Sequence, residues 1–291
     1  GAVSNTGIPL ARLGARTTLM ARIGADEFGR LTRARLEQAA GVEGIVENPE
    51  SHSSYTVVIA PPGIDRIFLH SPGANDAFGP EDVRDDICRR TRLFHFGYPP
   101  LMRRMYLDGG RELVAVLRKA KDAGATTSLD MALPDPASDA GRADWTAILR
   151  AALPHVDLFH PSFEEGLFMA DRAAHARLKA AAGDKGDLAD AVTGAEHSAL
   201  AERLIEWGAA VVTLKSGRRG FYARTADRRR LETLGAAGCG DPAAWASREL
   251  WAPALVAPEG GSATGAGDCA LAGFLAAFLR AETLESCLGC A

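Results

Sequence analysis

A chain of 291 residues can hold one large α/β domain or two smaller ones, and 47% apolar with 24% charged residues is ordinary for a globular protein. A net charge of −4, only 7% aromatic residues and no basic stripe argue against a nucleic-acid surface, which needs clustered Lys and Arg. No apolar run reaches the roughly 18 residues of a membrane span, and no basic segment with an apolar core opens the chain. The five cysteines are odd in number and form no disulfide framework, so reduced thiols and a cytoplasmic setting are expected. Cys287 and Cys290 have Cys-x-x-Cys spacing, but there is no second pair to complete a zinc site.

The first 47 residues alternate helix and strand signals. Asn5 to Leu13 is helical in period and stops at Gly14, a C-cap residue type. Thr17 to Ile23 is β-branched and apolar and predicts a strand ending at Gly24. Asp26 suits the N-cap of a second helix, Glu27 to Ala40, with Phe28, Leu31 and Leu36 toward the core and Gly41 as its stop. Between 48 and 79 the pattern changes. Ser54–Ala60 and Arg66–His70 are two strands joined by Pro61-Pro62-Gly63-Ile64-Asp65, a hairpin signal. The hairpin interrupts a chain that is otherwise β/α, so its strands are expected outside the main sheet.

From Pro80 the alternation resumes. Helix 80–90, strand Leu93–Gly97, helix 108–123, strand Ala125–Asp130, helix 142–152, strand Val156–His160, helix 198–207 and strand Ala210–Leu214 are expected. Such spacing predicts a mostly parallel sheet with helices on both faces. Asp130 then lies at a strand's carboxyl end, the edge where open α/β sheets bind ligands. Glu164 and Glu165, after Pro161-Ser162-Phe163, are acids that a helix dipole favours. Residues 171–197 read as a polar surface insertion. Lys215-Ser216-Gly217-Arg218-Arg219-Gly220 is no Walker P-loop, because Leu214 stands where that motif needs Gly; alone it is an ordinary turn. Arg228-Arg229-Arg230 reads as a solvated turn or strand end, and 235–250, with Trp245, carries no motif.

Near the end, Gly260-Gly261-Ser262-Ala263-Thr264-Gly265-Ala266-Gly267-Asp268 runs into an apolar helix. Small residues at 265–267 leave backbone N–H groups open at a helix N-terminus, where the dipole favours an anion. Asp268 stands beside them in the first turn. A base next to an anion cradle suits a hydroxyl attacking a phosphate. The other reading of Asp268 is a carboxylate that merely starts a helix.

Thr264-Gly265-Ala266-Gly267-Asp268 resembles the C-terminal signature of the ribokinase (PfkB) family of carbohydrate kinases, and four further stretches resemble that family in order. They are residues 1–29, the 54–75 hairpin, 161–165 and 213–220. The resemblance implies a ribokinase-like α/β domain (1–47 and 80–291) with a β lid (48–79). It also implies transfer of the γ-phosphoryl group of ATP to a sugar hydroxyl. Asp268 is then the base, Gly265, Ala266 and Gly267 the anion hole, and Gly1, Asn5, Asn75 (of Gly73-Ala74-Asn75) and Asp130 the sugar side. Thr213, Lys215, Gly217, Gly220 and Thr264 fall on the nucleotide, and Glu165 with Ser162 on Mg²⁺. Asn5 alone reads equally as a helix N-cap. The chain departs from the family at Ser262 and Ser162, where Asp and Asn are usual, and at Ala132 and Pro134, which replace Asn and Arg. Its ends look incomplete, lacking a first strand and the last helices. A nucleoside kinase of the same fold and a non-catalytic sugar-binding regulator are the alternatives. A small-molecule substrate, no nucleic acid, no membrane and a homodimer complete the expectation.

Overall fold

The structure, a computed structural model, describes residues 1–61, 67–183, 188–255 and 264–291. Among them, two small sheets precede the main one. β1 (Thr18–Gly24) pairs parallel with β2 (Gly41–Asn48), and β3 (Tyr55–Ile59) pairs antiparallel with β4 (Ile67–Ser71). β2 corrects the sequence reading, which placed no strand after Gly41. Its two glycines and two glutamates are poor strand formers, and the register comes from β1. β3 and β4 hydrogen-bond to neither other sheet, and the connection at 62–66 lies outside the described residues.

The Glu27–Glu37 helix also differs from expectation. Leu36 is buried, but Phe28 and Leu31 are more than half exposed, and Phe28 stacks on Tyr55 of the hairpin at 5.3 Å. The preceding Gly24-Ala25-Asp26 is a junction. Asp26 accepts from Gly29 N as the N-cap and from both the backbone N and the hydroxyl of Ser53, while Ser53 Oγ accepts from Gly24 N at 2.8 Å. These bonds hold the Asp26 carboxyl below the usual range, the Ser53 hydroxyl contributing most. A Cβ on Gly29 would meet the Gly24 carbonyl oxygen at 2.0 Å. Gly29→Ala is therefore expected to cost at least ~1–3 kcal/mol by overpacking, read as a lowered urea midpoint at unchanged slope.

Among the described residues the main sheet has six strands, β5 (Leu93–Gly97), β6 (Thr126–Asp130), β7 (Leu158–Phe159), β8 (Val211–Lys215), β9 (Phe221–Thr225) and β10 (Glu249–Ala252). Their order is β10-β9-β8-β7-β6-β5, with β5 to β8 parallel and the last two antiparallel. Period-two alternation sends Val212, Leu214 and Tyr222 to one face, where the Gly194–Glu206 helix, with Leu200, Ala201 and Leu204 buried, packs on β8 and β9. Val211, Phe221 and Ala223 go to the other, against Leu271, Phe274 and Phe278 of the Ala266–Leu279 helix. That helix packs on Gly7–Arg12 and Leu284–Gly289. Gly273 permits the close approach, since a Cβ there would lie 1.9 Å from the Cys290 carbonyl oxygen.

Other boundaries shift. Helix 80–90 is a 3₁₀ turn (Pro80–Asp82) plus Asp85–Cys88, and 142–152 divides into Asp139–Arg142 and Trp145–Ala152. Strand 156–160 shortens to Leu158–Phe159. Residues 171–197 are not merely a polar surface insertion: Ala174, Leu188, Val192 and His197 are buried. Arg228–Leu231 is a short helix, and Arg230 is not simply solvated. With Lys121 it reaches the fully buried Asp157, which also accepts from Thr127 N. Asp157 precedes β7, so this ion cluster sits at the amino ends of the parallel strands.

Candidate active site

Because β5 to β8 are parallel, their carboxyl ends share one edge, and chemistry-bearing residues follow each strand there. Tyr98 follows β5, Asp130 ends β6, His160 follows β7 and Lys215 ends β8. Register places Gly97 beside Asp130, and an isolated bridge sets Ser162 beside Lys215. The Ala266–Leu279 helix starts over this edge. A Cβ on Gly267 would touch Lys215 Cδ at 3.4 Å, so the first turn lies on the lysine stem. Gly265, with φ of 79°, occupies the left-handed region that glycine tolerates, and no side chain caps the helix. Ser262 and the glycines before it lie outside the described residues.

Asp268 is buried in the first turn and accepts from the Thr6 hydroxyl at 3.2 Å and from the Tyr98 hydroxyl, both on Oδ1. Asn5 lies beside Tyr98, whose phenol is pushed upward by burial and then by the charges of Asp268 and Asp130. Lys215 Nζ pairs with Asp130 Oδ1, which also accepts from Met131 N at 2.8 Å. Burial opposes the lysine charge, but Asp130, Glu165 and Asp268 outweigh it and hold the ammonium above its ordinary value. Three buried polar atoms on this edge have no hydrogen-bond partner among the described residues: Asp130 Oδ2, His95 Nε2 and His160 Nε2. Both imidazoles are pushed down by burial, His95 to about 3, and are neutral.

Ser162 and Glu165 form a reciprocal capping box on the Phe163–Ala170 helix: Ser162 Oγ accepts from Glu165 N and Glu165 Oε2 from Ser162 N at 2.7 Å. The Ser162 hydroxyl is thus a cap first, while Glu165 keeps Oε1. Burial pushes the Glu165 carboxyl up to about 7, against the pull of Lys215. Among the described residues no group of three or more His, Cys, Asp or Glu is arranged as a metal cage. Thr213 is fully buried, with its hydroxyl 2.7 Å from His160 Nδ1, so that side chain supports the strand and does not face a ligand. Gly217 and Gly220 form the turn between β8 and β9, with φ of 52° and 98°. A Cβ on Gly220 would strike the Ala252 carbonyl oxygen at 2.1 Å. Asn75 lies in the Gly73–Ala77 turn against β1, Gly1 heads the Ala2–Asn5 helix, and Thr264 is exposed.

The structure thus gathers Asn5, Asp130, Glu165, Lys215 and Asp268 at one edge. Sequence reasoning missed Thr6 and Tyr98. A tyrosine between a strand-end glycine and two prolines was the available signal for the latter.

An α/β sheet with a carboxylate at an uncapped helix start, beside a lysine and two further carboxylates, is the arrangement of a ribokinase-like fold. The model of the pfkB family carbohydrate kinases matches residues 1–291, and the chain belongs to that family, phosphotransferases acting on a sugar hydroxyl. An uncharacterized sugar kinase of Archaeoglobus fulgidus is 22% identical over 96% of this chain and 89% of its own length. The probable fructokinase-4 of Arabidopsis thaliana is 29% identical over 45% of this chain and 40% of its own. A fructokinase with bound ATP from Xylella fastidiosa shares the fold with a TM-score of 0.71 at 20% identity, over 99% of this chain and 80% of that one. Arabidopsis thaliana ribokinase, complexed with ribose and ATP, gives 0.70 at 17% identity, over 99% and 77%.

Proposed function

We propose that the protein transfers the γ-phosphoryl group of ATP to a sugar hydroxyl, with Asp268 as general base. The observation that carries this reading is Asp268 at the start of an uncapped helix, facing the edge where Asp130 and Lys215 meet. The acceptor O–H bond breaks and its proton passes to Asp268. The freed oxygen bonds to the γ-phosphorus as the bond to the β,γ-bridging oxygen breaks, and ADP leaves. The N–H groups of 265–267 offset charge on the transferred group, and Lys215 adds a nearby fixed positive charge. Asn5 and Asp130 are assigned to the sugar, and the Gly217–Gly220 turn with Thr264 to the nucleotide. The β3–β4 hairpin is assigned as a lid that keeps water, a competing nucleophile, from the phosphoryl group.

Glu165 fits Mg²⁺ through water: among the described residues no hydrogen bond reaches its Oε1, and Mg²⁺ commonly keeps several waters with one or two carboxylates. The ion supplies charge neutralisation on the phosphates when bound. A homodimer in the cytoplasm completes the reading; among the described residues no helix is long and apolar enough to cross a membrane.

An ADP-coupled assay over hexoses, pentoses, deoxy-sugar acids and nucleosides tests the proposal. ADP formed with a sugar supports it, with a nucleoside only would redirect the substrate class, and tight binding without ADP would make the protein a sugar-binding regulator. Glu165→Gln gives a second check. Glu165 protonates as pH falls through about 7, so the wild type should lose Mg²⁺-dependent turnover on that acid limb, and the variant should be slow throughout without the limb. The sign for stability is the reverse. A carboxyl raised in the folded state makes stability fall as pH rises toward about 7, so Glu165→Gln should melt higher than wild type at pH above that. Ser162→Asn should be tolerated, Asn being an equally good cap. Unchanged Mg²⁺ dependence in Glu165→Gln would place the ion elsewhere.

A further inference from the structure

Tyr98 is held in an uncommon way. It follows the glycine that ends β5 and precedes Pro99, yet its backbone lies in the left-handed region, φ 67° and ψ 48°. A bulky residue rarely adopts that conformation, and a following proline does not impose it. Two backbone bonds hold it there: Tyr98 N donates to the Asp130 carbonyl at 3.2 Å, and Leu101 N donates to the Tyr98 carbonyl at 2.9 Å. The phenol reaches across to Asp268 Oδ1, with Asn5 beside it. Strain of this kind persists where the surroundings over-determine it, and it clusters at sites of function.

Which oxygen it bonds matters. Thr6 donates to the same Oδ1, while among the described residues Asp268 Oδ2 accepts no hydrogen bond from the protein. A carboxylate with two donors on one oxygen cannot rotate freely, and its lone pairs for a proton lie on the other.

We propose that Tyr98, with Thr6, is a positioning residue that clamps Oδ1 of Asp268 and so presents Oδ2 to the acceptor hydroxyl. The clamp matters in the transition state, when the proton moves, more than in binding the ground state. This rests on the reading of Asp268 as base, and two measurements separate the failures.

The contact itself is read without turnover. The chain has four tyrosines, and with ¹³Cζ-labelled tyrosine the Tyr98 signal is the one missing from Tyr98→Phe. In Asp268→Asn that signal should move while those of Tyr55, Tyr106 and Tyr222 stay. A Tyr98 signal that does not respond overturns the proposal whatever the enzyme's activity. The role is read by steady-state kinetics with ATP and D-fructose or D-ribose, whichever the wild type phosphorylates faster. Tyr98→Phe should lower kcat about ten- to hundredfold, the loss of one bond to a charged group, with both KM values within about twofold. Thr6→Val should act in the same direction. In the Asp268→Asn background Tyr98→Phe should cost nothing further. An unchanged kcat in Tyr98→Phe, or the same fold-loss with and without Asp268, overturns the clamp. If the wild type phosphorylates neither sugar, the same kinetic comparison is made with the acceptor that forms ADP fastest in the coupled panel. No ADP with any acceptor overturns the role of Asp268 as base and the clamp with it, while a responding tyrosine signal would still show the contact.

Discussion

Asp268→Asn is expected to lower phosphotransfer by about 10²–10⁴-fold, the usual cost of losing a general base. Binding of sugar and ATP, followed by calorimetry, should change little. The amide keeps the size of the carboxylate and still accepts from Thr6 and Tyr98, and the N–H groups of 265–267 belong to the backbone and survive. Turnover at the wild-type rate would reduce Asp268 to a carboxylate that happens to start a helix, and the proposed mechanism would go with it.

Lys215→Met is expected to be the most damaging single change to stability at this edge. Asp130 is 1% exposed and Lys215 14%, so removing the ammonium strands a carboxylate that water does not reach. Breaking a buried pair from one side costs about 3–5 kcal/mol. The variant should recover at low pH. Burial already pushes the Asp130 carboxyl upward, and without the lysine it rises further. A carboxyl raised in the folded state binds its proton there before it does in the unfolded chain, so the deficit is greatest at high pH and shrinks as pH falls. Lys215→Met with Asp130→Asn should regain much of the loss in a urea titration. A deficit independent of pH, or a double variant as poor as the single, would show that packing of the lysine stem on Gly267 is what matters.

The sequence disclosed most where one residue type satisfies a local rule. β5 was readable because its apolar run ends at Gly97, and the hairpin because its two β-branched and apolar runs are separated by a short proline- and glycine-containing stretch. Asp26 declared itself as a cap. β2 was hidden because its stability comes from pairing with β1, information that no local propensity holds. Phe28 and Leu31 misled for a related reason: their spacing is that of a buried stripe, but only Leu36 reaches the core, and Phe28 meets the hairpin. At the site, Asp268 and Glu165 came from motif order. The Asp130–Lys215 pair joins residues 85 positions apart, and Thr6 lies 262 from Asp268, separations at which a sequence gives no sign of contact. Thr213 shows the converse. Its place in a motif suggested the nucleotide, and its burial beside His160 makes it part of the scaffold.

The two charged clusters lie at opposite ends of the same strands, and they tolerate damage differently. At the amino ends Asp157 is shared by Lys121 and Arg230 and has no neighbour in the proposed chemistry. A lesion there would lower the number of folded molecules and leave each survivor as fast as before. At the carboxyl ends a change such as Asp268→Asn would leave the population intact and make every member slow. Measured in a crude extract, the two would give the same shortfall in product. Only dividing rate by the amount of folded protein tells a scarce enzyme from an idle one.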